Sequence, residues 1–107
     1  SAEFEDFQKL DIRVGSVLEA RRHPDADKLL VLRVDLGEAE PRQIVSGIAE
    51  FFKPEDLPGR QVVVVANLKP RKIRKQLSQG MVLTVKTAEG MELLSTPQAV
   101  PGGSRVS

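Results

Sequence analysis

Apolar residues recur mainly at every second position in this chain. From Asp11 onward Ile12, Val14, Ser16, Leu18 and Ala20 fall on one face, which predicts a strand. Gly15 inside it marks a bulge or a sharp bend, as barrels need where a strand turns a corner. His23-Pro24-Asp25-Ala26-Asp27 is turn chemistry. Leu30, Leu32, Val34 and Leu36 line one face of a second strand that ends at Gly37, and Arg42 to Val45 reads as a short third strand. Gly47 breaks the pattern. Ile48 to Phe52 reads as a helical turn, and Pro54 stands near a first helical position with Gly59 as the stop. Val62 to Ala66 is a β-branched run and a fourth strand; Met81 to Thr87 is a fifth. Residues 67–80 between them read as a long polar connection. Glu89-Gly90 turns the chain into the short apolar segment Met91 to Leu94. The tail, with Pro97, Pro101, Gly102 and Gly103, reads as extended and irregular. Residues 1–6 are a linker or short helical lead-in that Phe4 and Phe7 could pin to the body.

Three strands, a short helical piece, two strands and an appendage is the order of an all-β OB-fold. That fold is a five-stranded Greek-key barrel that often binds oligonucleotides or oligosaccharides. The expected architecture has a short helical segment between strands three and four and a C-terminal extension from about residue 88, with residues 7–107 forming one domain. A length of 107 residues suits a single core. The chain has no cysteine, which excludes disulfides and thiol chemistry and fits a reducing cytosol. No apolar run approaches the roughly 20 residues needed to span a bilayer, and no signal segment opens the chain. The expected location is cytoplasmic, with no membrane partner. Ser1 in place of Met suggests a processed chain or a piece of something longer.

Net charge is +1, but its distribution is uneven. Residues 69–75, Lys-Pro-Arg-Lys-Ile-Arg-Lys, hold five of the sixteen basic residues and no acidic one, leaving the rest of the chain at −4. A concentrated basic loop on a mildly acidic body suggests a directed anion site. A solvated surface loop would have the same composition.

Catalytic readings find little support. The single His23, without Cys or a second His, cannot join an ordinary zinc site and reads as a surface residue. Asp25-Ala26-Asp27 resembles the start of a calcium loop, but Leu30 stands where Gly is needed and Leu36 where Glu is needed. Val45-Ser46-Gly47 lacks the first glycine of a nucleophile elbow. No Gly-rich phosphate loop is present, and the pair Glu55-Asp56 suits a solvated or capping role. No cofactor or metal is expected. Single-strand binders usually offer aromatic platforms for bases. The only aromatics are Phe4, Phe7, Phe51 and Phe52, none on a predicted strand. That favours reading shape and phosphates over reading splayed bases.

Residues 67–82, Asn-Leu-Lys-Pro-Arg-Lys-Ile-Arg-Lys-Gln-Leu-Ser-Gln-Gly-Met-Val, resemble the tRNA-binding domain family. Its members include the C-terminal domain of bacterial methionyl-tRNA synthetase, standalone structure-specific tRNA-binding proteins and the C-terminal domain of the endothelial monocyte-activating polypeptide II precursor. Leu10-Asp11-Ile12-Arg13-Val14-Gly15, His23-Pro24-Asp25-Ala26-Asp27-Lys28-Leu29, Ile44-Val45-Ser46-Gly47-Ile48 and Pro101-Gly102 match in the same order. The resemblance implies an OB-fold that binds tRNA without strong sequence choice, holds it for a synthetase and is homodimeric in the bacterial members. It implies a non-catalytic domain, with an attached synthetase body as one partner. A standalone tRNA-binding protein, or a chaperone-like protein-interaction domain on the same barrel, is the alternative.

Combined with that resemblance, Lys69, Arg71, Lys72, Arg74 and Lys75 on the loop between strands four and five become the expected phosphate contacts. Pro70 restricts the loop's freedom. Asn67, Ser78 and Gln79 offer neutral donors for phosphate or ribose 2′-hydroxyls. Gly80 would let backbone approach RNA or simply allow a turn. Met81 could touch a base or pack in the core. Lys28 and Arg33 extend the set at the second strand, although Arg33 shares a face with Leu29 and Val31 and could instead cover a hydrophobic edge. Ser46 and Gly47 fit the family pattern and also fit a structural turn. Met91, Leu93, Leu94, Pro97, Ala99, Val100 and Val106 lie beyond a barrel complete by about Thr87. They need a second surface, either their own barrel or a two-fold partner.

Overall fold

Alternating side chains on the second strand build the core. In the computed structural model, which describes residues 1–107, Leu30, Leu32, Val34 and Leu36 are each at most 1% exposed. They pack with Val17, Ile44, Ile48, Leu57, Val62 and Val64 in one apolar cluster. The elements around it are α1 (Phe4–Gln8), β1 (Ile12–Arg22), β2 (Leu30–Asp35), β3 (Arg42–Ser46), a 3₁₀ turn (Pro54–Asp56) and β4 (Gln61–Val65). They continue with β5 (Arg71–Ile73), β6 (Gln76–Ser78), β7 (Met81–Val82), β8 (Thr84–Thr87) and β9 (Gly90–Leu93). The main sheet runs β3-β2-β1-β4-β7, antiparallel throughout. It curls until β3 meets the 78–82 segment, giving a nearly closed OB-like barrel of five strands. Leu57, immediately after the 3₁₀ turn between β3 and β4, is fully buried in the barrel core.

β1 differs from its predicted face. It is long enough to serve two partners, pairing Ile12–Ser16 with β4 and Ser16–Arg22 with β2. A bulge between Val17 and Glu19 changes the parity of the strand. Val17 and Ala20 therefore reach the main core, while Leu18 is 46% exposed and Ile12 joins a smaller cluster with Val63 and Val65. Gly15 lies two residues before that bulge. A Cβ there would sit 2.5 Å from Val34 Cγ1 and 2.8 Å from Leu36 Cδ2, so the residue lets the two strands close on each other.

Two further segments depart from the sequence reading. The connection over 67–80 is not irregular: β5 and β6 form a separate hairpin within it. The predicted fifth strand is split. Met81–Val82 completes the main sheet, whereas Thr84–Thr87 pairs with Gly90–Leu93 in a second hairpin, and Met91 and Leu93 fold back on the barrel's own core. The tail then runs along the first half of β1. Gly103 N–H donates to the Val14 carbonyl at 2.7 Å, Val14 N–H to Ser104 at 2.8 Å and Val106 N–H to Ile12 at 2.8 Å. No helix is long and apolar enough to cross a membrane.

Two partly buried ion pairs brace this frame. Asp11 accepts from Arg13, and Glu38 receives both arms of Arg42 at 2.8 Å. Hydrogen bonds from these guanidinium groups, outweighing desolvation, hold both carboxyls below the usual carboxylate range. Depressed folded-state values mean that the stabilisation is complete above the unfolded-state pKa, about 4, and is lost as pH falls through the folded values. We predict that stability to urea is flat from pH 7 to about 5 and falls below about 4. Asp11→Asn should flatten part of that acid limb; an unchanged pH profile in this variant would show that the pair contributes nothing.

Candidate nucleic-acid interface

The basic segment owes its shape to β-hairpin pairing. Arg71 pairs with Ser78, Lys72 with Leu77 and Ile73 with Gln76, leaving Arg74 and Lys75 as a two-residue turn. Both turn residues take left-handed backbone conformations, φ 50° and 74°. Two-residue hairpin turns of this kind normally use Asn-Gly or Asp-Gly. Here two long cations are held at the tip at a cost in backbone strain.

Lys69, Arg71, Lys72, Arg74 and Lys75 are all exposed. None makes a salt bridge. The five ion pairs of the molecule, Lys9–Asp6, Arg13–Asp11, Arg33–Glu19, Arg42–Glu38 and Arg105–Asp11, all draw on cations outside this segment. Arg74 donates one hydrogen bond, to the Asp25 carbonyl at 2.8 Å. Four of these cations therefore stand on one short hairpin and Lys69 two residues before it, none in a salt bridge, with Asp25 near Arg74 and Lys75 at the tip.

Next to the hairpin runs a groove of about 430 Å³. Lys69 and Arg71 stand on it beside Leu29, Leu68, Met81 and Met91, with Ser46, Gly47 and Thr84 also in the wall. Leu68 and Met81 are 42% and 46% exposed. The groove thus combines an apolar surface with cations and lies where β3, the β1–β2 loop and the β4–β7 connection converge. Aromatic content gave no hint of it, since the apolar lining is entirely aliphatic and thioether.

The other predicted contacts separate into two groups. Lys28 is exposed and shares a surface depression with Asp25 and Arg74, so it belongs with the hairpin tip. Met81 faces the groove. Arg33 lies on β2 in register with Gln43 and 3.9 Å from Glu19, on a half-exposed surface where such a pair is weak. Asn67, Ser78 and Gln79 have internal partners. Asn67 Oδ1 accepts from Asp11 N–H at 2.8 Å, and its Nδ2 donates to the Lys9 carbonyl at 2.7 Å. Ser78 is 4% exposed; its hydroxyl accepts from Val45 N–H and donates to the Gly80 carbonyl, both at 3.0 Å. Gln79 Oε1 accepts from Gln43 N–H at 3.1 Å. These three polar side chains stitch loops and strands together, which is why they stand in the segment. Gly80 faces inward, where a Cβ would lie 3.1 Å from Val64 Cγ1 and 3.2 Å from Ile44 Cδ1.

His23 corrects the expectation of a surface residue. It is 4% exposed, with both ring nitrogens engaged. Nothing in the polar turn sequence around it signals burial, because the covering element is a hairpin fifty residues further along.

The chain is similar to known proteins in sequence and in structure. Residues 12–105 match the family described as "Putative tRNA binding domain". The methionine–tRNA ligase of Flavobacterium johnsoniae is 52% identical over 106 residues, 98% of this chain and 15% of the ligase. That of Pyrococcus abyssi is 50% identical over 103 residues, 96% of this chain and 14% of the ligase. The chain therefore spans a small part of the length of the relatives it matches. Among solved structures, a MetRS-related protein from Pyrococcus horikoshii superposes with a TM-score of 0.91 at 39% identity, covering 100% of this chain and 98% of that one. The chaperone CsaA of Bacillus anthracis gives 0.89 at 35% identity, covering 100% and 99%. Matched over nearly its whole length in sequence and over all of it in structure, the chain belongs to the tRNA binding domain family.

Proposed function

We propose that this domain is a non-catalytic binder of folded tRNA, working in the cytoplasm and serving a methionyl-tRNA synthetase as an appended C-terminal domain. The observation that carries the reading is the set of five exposed cations without salt bridges, four on the hairpin and Lys69 just before it, beside a groove. Lys69, Arg71, Lys72, Arg74 and Lys75, joined by Lys28, take phosphates. The groove, with Met81 and Leu68, takes the less polar edge of the RNA surface. Asn67, Ser78 and Gln79 act indirectly, by fixing the segments that carry the cations, and Arg33 lies outside the main contact set.

If about four cations neutralise phosphates on a helical arm, log K should fall with log salt at a slope of about −3.6. Replacing all five hairpin-segment cations by Ala should abolish most of the salt dependence while leaving the melting curve two-state. A nearly flat salt titration of the wild-type chain would remove the phosphate mechanism. The structural match to a chaperone and the apolar groove favour one other reading, capture of an unfolded peptide. A peptide that outcompetes tRNA at moderate salt would favour it.

The strained tip allows stability and binding to be separated. Arg74→Asn with Lys75→Gly suits the turn, and relief of two left-handed residues should stabilise the fold by about 1 kcal/mol. The same change removes two cations and should make the salt slope less negative by about 1.8. A variant that binds tRNA as tightly as wild type would show that the tip does not touch RNA.

An exposed apolar patch supports the further reading that the domain forms a homodimer. Phe4, Phe7, Leu10 and Val106 are all at least 38% exposed, and they line one depression between α1 and the tail. A two-fold contact uses such a patch twice and should bury on the order of 1,200 Å² or more. Sedimentation should give a dimer for the wild-type chain and a monomer for Phe4→Asp with Phe7→Asp. A wild-type monomer at concentrations well above the tRNA affinity would overturn this part of the reading.

A further inference from the structure

The β5–β6 hairpin forms its own two-stranded sheet, tied to β3 at its Leu77–Ser78 end by Gln43 Nε2 and Val45 N–H. Two-stranded ribbons are marginally stable by themselves, so the β5 and tip side needs a hold of its own. Its attachment to the start of the β1–β2 loop uses three side chains. Arg21 Nη2 reaches Gln76 Oε1 at 3.3 Å, and Arg74 Nη2 reaches the Asp25 carbonyl at 2.8 Å, both at the exposed surface. The third is His23, the only buried one of the three. Its Nδ1 lies 3.0 Å from Asp25 N, and its Nε2 lies 3.2 Å from the carbonyl oxygen of Ile73, in the middle of the basic segment. A carbonyl can only accept, so Nε2 carries the hydrogen. A backbone N–H can only donate, so Nδ1 is bare. The two partners together select the Nε2–H tautomer of the ring.

We propose that His23 is the positioning residue of the cationic hairpin. One ring nitrogen shapes the β1–β2 loop and the other clamps β5 onto it, so that Lys69, Arg71, Lys72, Arg74 and Lys75 are presented as a fixed array beside the groove. The clamp reduces the freedom the hairpin would otherwise lose on binding a phosphate backbone. The RNA side of this inference rests on the function proposed above; the clamp itself does not.

Three substitutions separate the two bonds. His23→Gln places an amide that can donate to the Ile73 carbonyl. His23→Asn is shorter: it can accept from Asp25 N–H and keep the local turn, but cannot span to β5. His23→Ala loses both bonds. Amide hydrogen exchange over residues 71–78 of the free chain and the affinity and salt slope for tRNA are measured on each, with a thermal melt as the check on folding. In the Asn and Ala variants exchange of the hairpin amides should rise about tenfold, the effect of one lost buried hydrogen bond. tRNA affinity should fall several-fold and the salt slope should become shallower. The Gln variant should recover both readouts. If Ala fails to fold, the Asn and Gln pair carries the comparison. Wild-type protection of the hairpin in the Asn variant, or a Gln variant no better than Asn, would overturn the clamp. A loosened hairpin with unchanged tRNA affinity and slope would overturn its positioning role. Failure of the wild-type chain to bind tRNA would instead remove the proposed function, and the exchange measurements would still decide the clamp.

Discussion

Where β3 meets the chain at residues 78–80, side chains close the barrel in place of a full ladder. The Ser78 hydroxyl takes Val45 N–H, Gln79 takes and gives bonds with the Gln43 backbone, and Arg42 donates to the carbonyls of Ala66 and Gln79. Gly80 makes the approach close enough for Val64 and Ile44 to pack beneath it. This seam fixes more than the core. The β5–β6 hairpin leaves the barrel immediately before it, so the contacts that close the sheet also set where the basic segment begins and ends. Loss of one partner here would leave buried polar groups unsatisfied, a larger cost than the net worth of any single bond.

The charges divide along the same line. Arg42 and Arg13 are partly buried and matched to carboxylates, where they brace loops and strand ends. The hairpin cations have no such partners. A cluster of this kind repels itself, and Arg74, through its bond to the Asp25 carbonyl, is the one member that ties the hairpin down; under the function proposed above a ligand of opposite charge offsets the repulsion. The groove beside it supplies what the cations lack, an apolar surface at which water is easily displaced. Together they suit a ligand whose charged backbone and less polar surfaces lie close together, as folded RNA offers.

Much of the barrel was legible in the sequence because burial on β2 and β4 follows simple rules. Leu30, Leu32, Val34 and Leu36 alternate, and Val62 to Ala66 is continuously β-branched. β1 was read with a single parity, but the bulge between Val17 and Glu19 switches it: Val17 rather than Leu18 faces the main core, while Ala20 reaches it as read, and Gly15 hinted at an irregularity without fixing its position. The hairpin at 71–78 was hidden for a related reason: its turn is Arg74-Lys75, not the Asn-Gly that announces such a turn. The basic character of the site was plain, and the five cations stand together as read. The assignment of Asn67, Ser78 and Gln79 to RNA followed from their polarity and from the resemblance of the 67–82 segment, neither of which distinguishes a ligand-facing group from one that ties strands, as these three do. His23 was missed because its burial is made by a distant segment. The apolar groove was missed because its walls come from four separated stretches of chain.

The tail over residues 101–106 has a consequence beyond the fold of a single chain. The first half of β1 pairs with β4 on one side only; its other edge offers a row of N–H and C=O groups beside Ile12 and Val14. Gly103, Ser104 and Val106 occupy that row, with the backbone of Arg105 paired antiparallel to that of Arg13. Uncovered, such an edge is a template for strands of other molecules, and β-rich proteins at high concentration are vulnerable there. The tail thus acts as a built-in cover against edge-to-edge aggregation, and charged Arg13 and Arg105 make the covered margin still less inviting to a foreign strand.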